Sequence, residues 1–170
     1  MEGGSYTTRP MVVAFLESPK GLLLMHRSPH ARLLPGMWAG IGGHVKPEEF
    51  SEPGRAMVRE INEETTLRPE ELSNLRLAAV VLRLRLREIR QQYVYLGRVC
   101  GRAMPDTPEG QLAWVPWADV PALSMSASTR FILERQQAGL FTPSIQVGVL
   151  TDNSGQPRVG WCDLADWQPS

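Results

Sequence analysis

The sequence is short of lysine, cysteine and net charge. Lys20 and Lys46 are the only lysines among eighteen basic residues, and eighteen acids balance that set to zero. A chain with no basic excess is not built as a general nucleic-acid binder, so no direct nucleic-acid partner is expected. The two cysteines, Cys100 and Cys162, form neither a metal spacing nor a disulfide framework. Both stand in strand-like contexts and are expected as buried small hydrophobes. The apolar runs at 22–25 and 77–82 fall far short of a membrane span. Residues 1–10 lack the basic-then-apolar layout of a secretory leader. A cytoplasmic chain without a membrane partner is therefore expected. His26, His30 and His44 are scattered and lack ligand spacing.

What is present is an ordinary globular composition, 42% hydrophobic and 21% charged over 170 residues. That length suits one domain over residues 1–170, and no repeat or linker divides it. Residues 10–17 and 21–27 read as strands of a hairpin turning at 18–20. The glycine-rich stretch 28–43 reads as a long functional loop. A helix starts near Ser51 or Glu52, with Pro53 in its first turn, and runs to about Thr66. Strands are expected at 75–87 and 92–102, joined around 88–90, and at 111–117. A second helix covers 126–138, with Gly139 just past its end. Residues 144–150 and 158–161 form a last hairpin across 152–155. The pattern is α+β with mostly antiparallel strands.

The chemistry concentrates in Gly42-Gly43-His44-Val45, Glu48-Glu49 and Arg59-Glu60-Ile61-Asn62-Glu63-Glu64. At about 100° per helical residue, Glu63 falls ~60° to one side of Glu60 and Glu64 ~40° to the other. The acids thus share one arc, at a cost of a few tenths of a kcal/mol (roughly) per exposed pair. Arg59 offsets part of that repulsion and a divalent cation would offset more. Mg²⁺ and Mn²⁺ are hard ions that take carboxylate and carbonyl oxygens, and the glycines let backbone come close. A solvated acidic helix face remains the alternative until the Gly-Gly run is weighed with it.

This segment resembles the Nudix box, the signature of the Nudix hydrolase superfamily: Gly43, five residues, Glu49, then Arg59-Glu60-Ile61-Asn62-Glu63-Glu64-Thr65 and a final Leu67. Gly36-Met37-Trp38 leading into the glycines is similar to MutT-type members acting as 8-oxo-dGTP diphosphatases. The resemblance implies the Nudix fold, an α/β/α sandwich around a mixed, mostly antiparallel sheet. It departs from the pattern twice. Nine residues rather than seven separate Glu49 from Arg59, which leaves open whether Glu49 or a neighbour takes the first Glu role. Thr66 replaces the closing Gly, and since Thr tolerates a left-handed backbone poorly, a different helix exit is expected.

By the resemblance, the metal ligands are Glu60, Glu63, Glu64 and the Gly42 carbonyl, holding Mg²⁺ with Mn²⁺ as a substitute. Arg59 holds the helix acids, Arg27 meets phosphate, and Gly43 borders the substrate. Glu63 or Glu64, or else Glu109, serves as base, while Gln111 stands where relatives often carry a second Glu. The implied reaction is hydrolysis of a diphosphate bond in a nucleoside di- or triphosphate or a nucleoside diphosphate derivative. Trp38, ahead of Tyr93, Tyr95 and Trp117, is the candidate to stack on a base. The 124–129 stretch has no Asp or Asn to read an oxidised purine, so 8-oxo-dGTP leads only weakly. The alternating Arg83, Arg85 and Arg87 form a strand face that could meet phosphate or a partner chain, with one solvated face as the favoured reading. A non-catalytic nucleotide- or metabolite-sensing module is the alternative function. An isoprenoid-diphosphate isomerase is disfavoured by the lack of Cys before the box. The terminal hairpin leaves a homodimer open.

Overall fold

The computed structural model describes residues 5–31, 33–105, 107–153 and 155–164. The chain runs through β1 (Thr7–Ser18), β2 (Gly21–Arg27), β3 (Trp38–Ala39), α1 (Pro53–Thr65), β4 (Leu72–Arg85) and β5 (Glu88–Val99). It continues through β6 (Gly110–Val115), α2 (Ala127–Gln137), β7 (Gln146–Asn153) and β8 (Gln156–Asp163). One mixed sheet holds all the strands in the order β3-β2-β1-β5-β4-β7-β8, with β6 on β2. β1 runs parallel to β5 and β4 parallel to β7; the remaining pairs are antiparallel.

Strand alternation divides the core into two layers. Val12, Ala14, Leu16, Leu23 and Met25 face Ala56, Met57 and Ile61 of α1. Val13, Phe15, Leu22, Leu24 and Val94 face Ile132 and Leu133 of α2. Both helices form because an apolar stripe recurs at helical spacing and their starts are suited to it. Pro53 occupies the first position of α1, where its missing N–H costs nothing. Ser126 caps α2 by accepting the Thr129 N–H at 3.2 Å.

The pairing of β1 positions the glycines. β1 meets β2 only through Leu16–Ser18 against Gly21–Leu23. Further along, β2 pairs with β3 through Met25 and His26 while β6 runs along its other edge, and residues 41–44 lie beside β1 instead. There Ala14 and Ile41 exchange N–H···O bonds, and the Val12 N–H donates to the Gly43 carbonyl at 2.9 Å. A Cβ on Gly42 would strike the Val12 carbonyl, so this approach requires glycine.

Four sequence expectations change. β4 and β5 join at Leu86-Arg87, not around 88–90. Glu88–Arg90 are drawn into β5 by pairing with Thr7–Arg9 of β1, and Leu86 takes the left-handed turn conformation at φ 56°. β4 also begins earlier than expected, at Leu72. Cys100 and Cys162 are exposed rather than buried. Cys162 lies on β8, the sheet edge, and strand periodicity says nothing of whether an edge face is covered. Ser154 of the last turn lies outside the described residues. Among the described residues no helix is long and apolar enough to cross a membrane.

The fourth change is the exit of α1. Thr66 does adopt the left-handed conformation at φ 59°. Its N–H donates to the Asn62 carbonyl at 2.9 Å, Asn62 Nδ2 donates to the Leu67 carbonyl at 3.1 Å, and Arg102 Nη2 donates to Thr66 Oγ1 at 3.2 Å. Those bonds hold a β-branched residue where glycine sits without strain. Thr66→Gly is therefore expected to raise stability by about 0.5–1 kcal/mol in denaturant titration; a loss of that size would show that the Arg102 contact outweighs the strain.

Candidate active site

The extra residues between Glu49 and Arg59 do not disturb the carboxylate arc. Residues 47–49 make a single 3-10 turn, and the Glu52 N–H returns to the Glu49 carbonyl at 2.9 Å, so the added length is absorbed before α1 begins. Glu49 is the acid that reaches Arg59.

Arg59 is the hub. Its Nε donates to Glu49 Oε1 at 2.7 Å and its Nη2 to Glu49 Oε2 at 2.9 Å. Nη1 donates to Glu60 Oε1 at 2.8 Å and Glu63 Oε2 at 3.1 Å. Nη2 also donates to the His44 carbonyl at 3.1 Å. Every guanidinium donor is thereby used. Glu49, buried, also accepts the Lys46 N–H at 3.0 Å. The Arg59 bonds hold its carboxyl down at about 2, against the opposing effect of burial, and Glu49 in turn pushes the guanidinium further up.

Glu64 is the opposite case. It is 5% exposed, and one carboxylate oxygen, Oε1, has no partner. The other, Oε2, accepts the Gly42 N–H at 3.1 Å. Burial first, then the charge of Glu109, pushes this carboxyl up to about 8. Burial also pushes Glu60 up, against the pull of Arg59. Glu60 lies close against Gly43, where a Cβ would overlap its carboxylate. Glu63 is the open member, its side chain 54% exposed.

Gly42, Gly43 and Glu60 border a cleft that Arg9, Met11, Arg27, Leu33, His44, Lys46, Arg85, Arg90 and Glu109 complete. It continues inward past Leu34, Gln92, Arg83, Ser126, Ser128 and Thr129. Arg27, at the end of β2, is mostly buried; its Nε donates to the Leu33 carbonyl at 2.9 Å and its Nη2 lies 3.6 Å from Glu109 Oε2. Glu109 is half exposed and its carbonyl accepts the Ser28 N–H at 2.9 Å. Gln111 sits exposed on β6 opposite His26.

The aromatic candidates lie elsewhere. Trp38 stacks on His26 with centroids 4.9 Å apart and packs on the α2-side core, outside the cleft lining. Its β3 partner position, opposite His26, fixes that outcome. Tyr93 and Tyr95 belong to the α1-side core and Trp117 to the α2-side core. Arg83 and Arg85, favoured as a solvated face with phosphate or a partner chain as the alternative, border the cleft, and so do Arg9, Arg90, Leu33 and Gln92, which no sequence signal marked. The period-two Arg run was the available signal, but only the tertiary fold shows that its face borders the cleft.

The donor set suits a hard divalent cation. The orphaned, buried Glu64 oxygen lacks a positive partner, and carboxylates with an adjacent glycine backbone are the oxygen ligands such ions take. Gly42 meets Glu64 through its N–H in this structure. Among the described residues no three acids, histidines or cysteines converge on one point. Arg59 takes one oxygen of Glu60 and one of Glu63, which leaves the second oxygen of each carboxylate outside those bonds.

The NUDIX domain family matches residues 7–136. No curated protein matches the chain in sequence. Solved structures share the fold. A MutT protein of Methanosarcina mazei Go1 is 22% identical with a TM-score of 0.67, over 81% of this chain and 98% of that one. The NUDIX domain of Shewanella oneidensis NrtR, solved with ADP ribose, is 19% identical with a TM-score of 0.61, over 81% and 90%. A C. elegans Ap4A hydrolase is 19% identical with a TM-score of 0.59, over 79% and 97%.

Two variants test the electrostatics in metal-free protein. Glu49 titrates lower folded than unfolded, so its stabilisation is full above its unfolded value near 4.5 and drains as pH falls towards about 2. Glu49→Gln should cost about 2–3 kcal/mol at pH 7 by denaturant titration, and its deficit should shrink as the pH is lowered through that window. A deficit constant across the window would mean that Arg59 does not bind an ionised Glu49. Glu64 has the reverse sign, because its folded carboxyl titrates higher. Its ionisation costs stability progressively as pH rises from about 4.5 to about 8. Glu64→Gln should therefore match or exceed wild-type stability, by about 1 kcal/mol at pH 8. A clear loss there would contradict the assigned burial cost.

Proposed function

The chain belongs to the Nudix hydrolase family, and from that premise we propose that its cleft hydrolyses a diphosphate bond in a nucleoside di- or triphosphate or a nucleoside diphosphate derivative with Mg²⁺ as cofactor. The observation that carries this reading is Glu64, an acid buried without a cation beside a cleft rich in arginine. Such an arrangement is costly for stability and serves a bound cation and a phosphate.

Glu60, Glu63, Glu64 and the Gly42 backbone would hold the ion. When bound, it neutralises charge on the phosphates and acidifies a coordinated water. Arg59 positions Glu60 and Glu63 and, through Glu49 and His44, ties α1 to the glycine segment. Arg27, held by the Leu33 carbonyl, presents its remaining donors to phosphate. Glu63 is the acid best exposed to take a proton from attacking water, with Glu64 and Glu109 as the other candidates. Gly43, without a side chain, lets the Glu60 carboxylate lie against the backbone at the border of the cleft. The reading treats residues 1–170 as one domain; in its support, β7 and β8 extend the sheet that holds β1–β6.

Trp38 is turned onto His26, and among the described residues no Phe, Tyr or Trp lines the cleft, which weighs against 8-oxo-dGTP as the main substrate. ADP-ribose, dinucleoside polyphosphates and ordinary nucleoside triphosphates are the classes to compare. The sensing alternative is favoured by Gln111, an amide where a second Glu is usual, and by Thr66 in place of the closing Gly.

A panel of these compounds with Mg²⁺ should give nucleoside monophosphate or pyrophosphate products. Glu63→Gln and Glu64→Gln should each lower kcat at least about a hundredfold with an unchanged circular dichroism spectrum. Binding without turnover across the panel would select the sensing module; near-normal turnover in both variants would remove the assigned roles.

A further inference from the structure

Three arginines stand abreast on one face of the sheet. In register, Arg9 of β1 is beside Arg90 of β5, and Arg90 is opposite Arg83 of β4. The row behind them, Met11, Gln92 and Val81, leads into the α2-side core, and all six residues line the cleft or its inner end. Strands lie roughly 4.8 Å apart, and like charges directly opposite one another repel. Glu88 offsets part of this: it accepts from Arg9 Nε at 2.7 Å and from Arg90 Nε at 2.7 Å. Both bonds use Nε, and Arg9 Nη1 lies 3.3 Å from His44 Nε2. Among the described residues, Arg83 and its neighbour Arg85 have no ion pair and no side-chain hydrogen bond. Sheet pairing alone gives no reason to gather these charges.

Arg83 and Arg90 line the inner cleft together with Gln92 and with Ser126, Ser128 and Thr129, and among the described residues no Phe, Tyr or Trp there offers a ring for stacking. Arg90 borders both the inner cleft and the part that contains Glu60. A guanidinium fork matches phosphate oxygens in pairs, and hydroxyls and amides complete such a site.

We propose that the Arg9–Arg90–Arg83 row is a second phosphate site, and that the preferred substrate carries at least one phosphate group beyond the diphosphate held at α1. This rests on the hydrolase reading above and adds a substrate class to it. The extra group can come from a longer phosphate chain, as in a dinucleoside tetraphosphate, or from a separate phosphomonoester on the sugar of a nucleoside diphosphate.

The test compares kcat/KM for a dinucleoside tetraphosphate, a nucleoside diphosphate carrying a 3′-phosphate, and a nucleoside diphosphate sugar with neither. Wild type should favour at least one of the first two over the third by tenfold or more, and which one identifies the source. In Arg83→Gln that preference should fall at least fivefold, through KM rather than kcat. In parallel, calorimetry of inorganic tripolyphosphate with metal-free protein at low salt should show at least fivefold weaker binding to Arg83→Gln. Arg85→Gln, at an exposed position on the same strand face, gives the second measurement should Arg83→Gln fail to fold. Unchanged preference and unchanged tripolyphosphate affinity in the variants overturn the proposal. If no compound is turned over, the hydrolase reading fails, and the tripolyphosphate titration alone then decides whether the row binds phosphate.

Discussion

The site depends on one guanidinium. Arg59 spends all its donors on two carboxylates of its own helix, the Glu49 carboxylate and the His44 carbonyl. Those partners come from the helix, from the turn before it and from the glycine segment beside β1. A bidentate Arg–carboxylate pair that is mostly buried fixes geometry as well as energy. Losing either member leaves the other charged and poorly solvated. The same side chain therefore offsets the repulsion along the helix and fixes the distance between α1 and the backbone at Gly42 and Gly43.

That arrangement divides the acids by environment. Glu49 is bound and firmly ionised, a structural anion. Glu64 is buried with an unpaired oxygen and is pushed towards its neutral form. Two carboxylates of the same motif thus carry opposite costs, set by whether a cation is at hand. The protein accepts an unfavourable acid at the position where a divalent ion would compensate it, which is the expected trade of stability against function. The arginine row on the other side of the cleft repeats the logic with the sign reversed, since its like charges await an anion.

Much of the fold was legible in residue patterns because each element carries its own local signal. The alternation of 12, 14, 16 against 13, 15 in β1, the Pro53 start of α1 and the Ser126 cap of α2 all act over a few residues. Local signals misplaced the β4–β5 turn, because the pairing of Glu88–Arg90 with β1 is a contact between distant segments. They also buried Cys162, because burial at an edge strand depends on what lies over it. Thr66 shows local preference overruled: steric cost argued for another exit, but the Asn62 and Arg102 bonds keep the left-handed one.

The order and spacing of residues by themselves determined the acidic arc of α1, since a helix places residues at 100° steps whatever surrounds it, and the motif they form carried the resemblance that implied the family and the pairing role of Arg59. They could not determine which acid before the helix reaches Arg59, that Trp38 rests on His26, or that Arg83 and Arg85 border the cleft. Those outcomes turn on β2 leaving β1 for β3 and on the register of β1, β5 and β4. Register joins residues some eighty positions apart, and only the packed sheet brings them side by side.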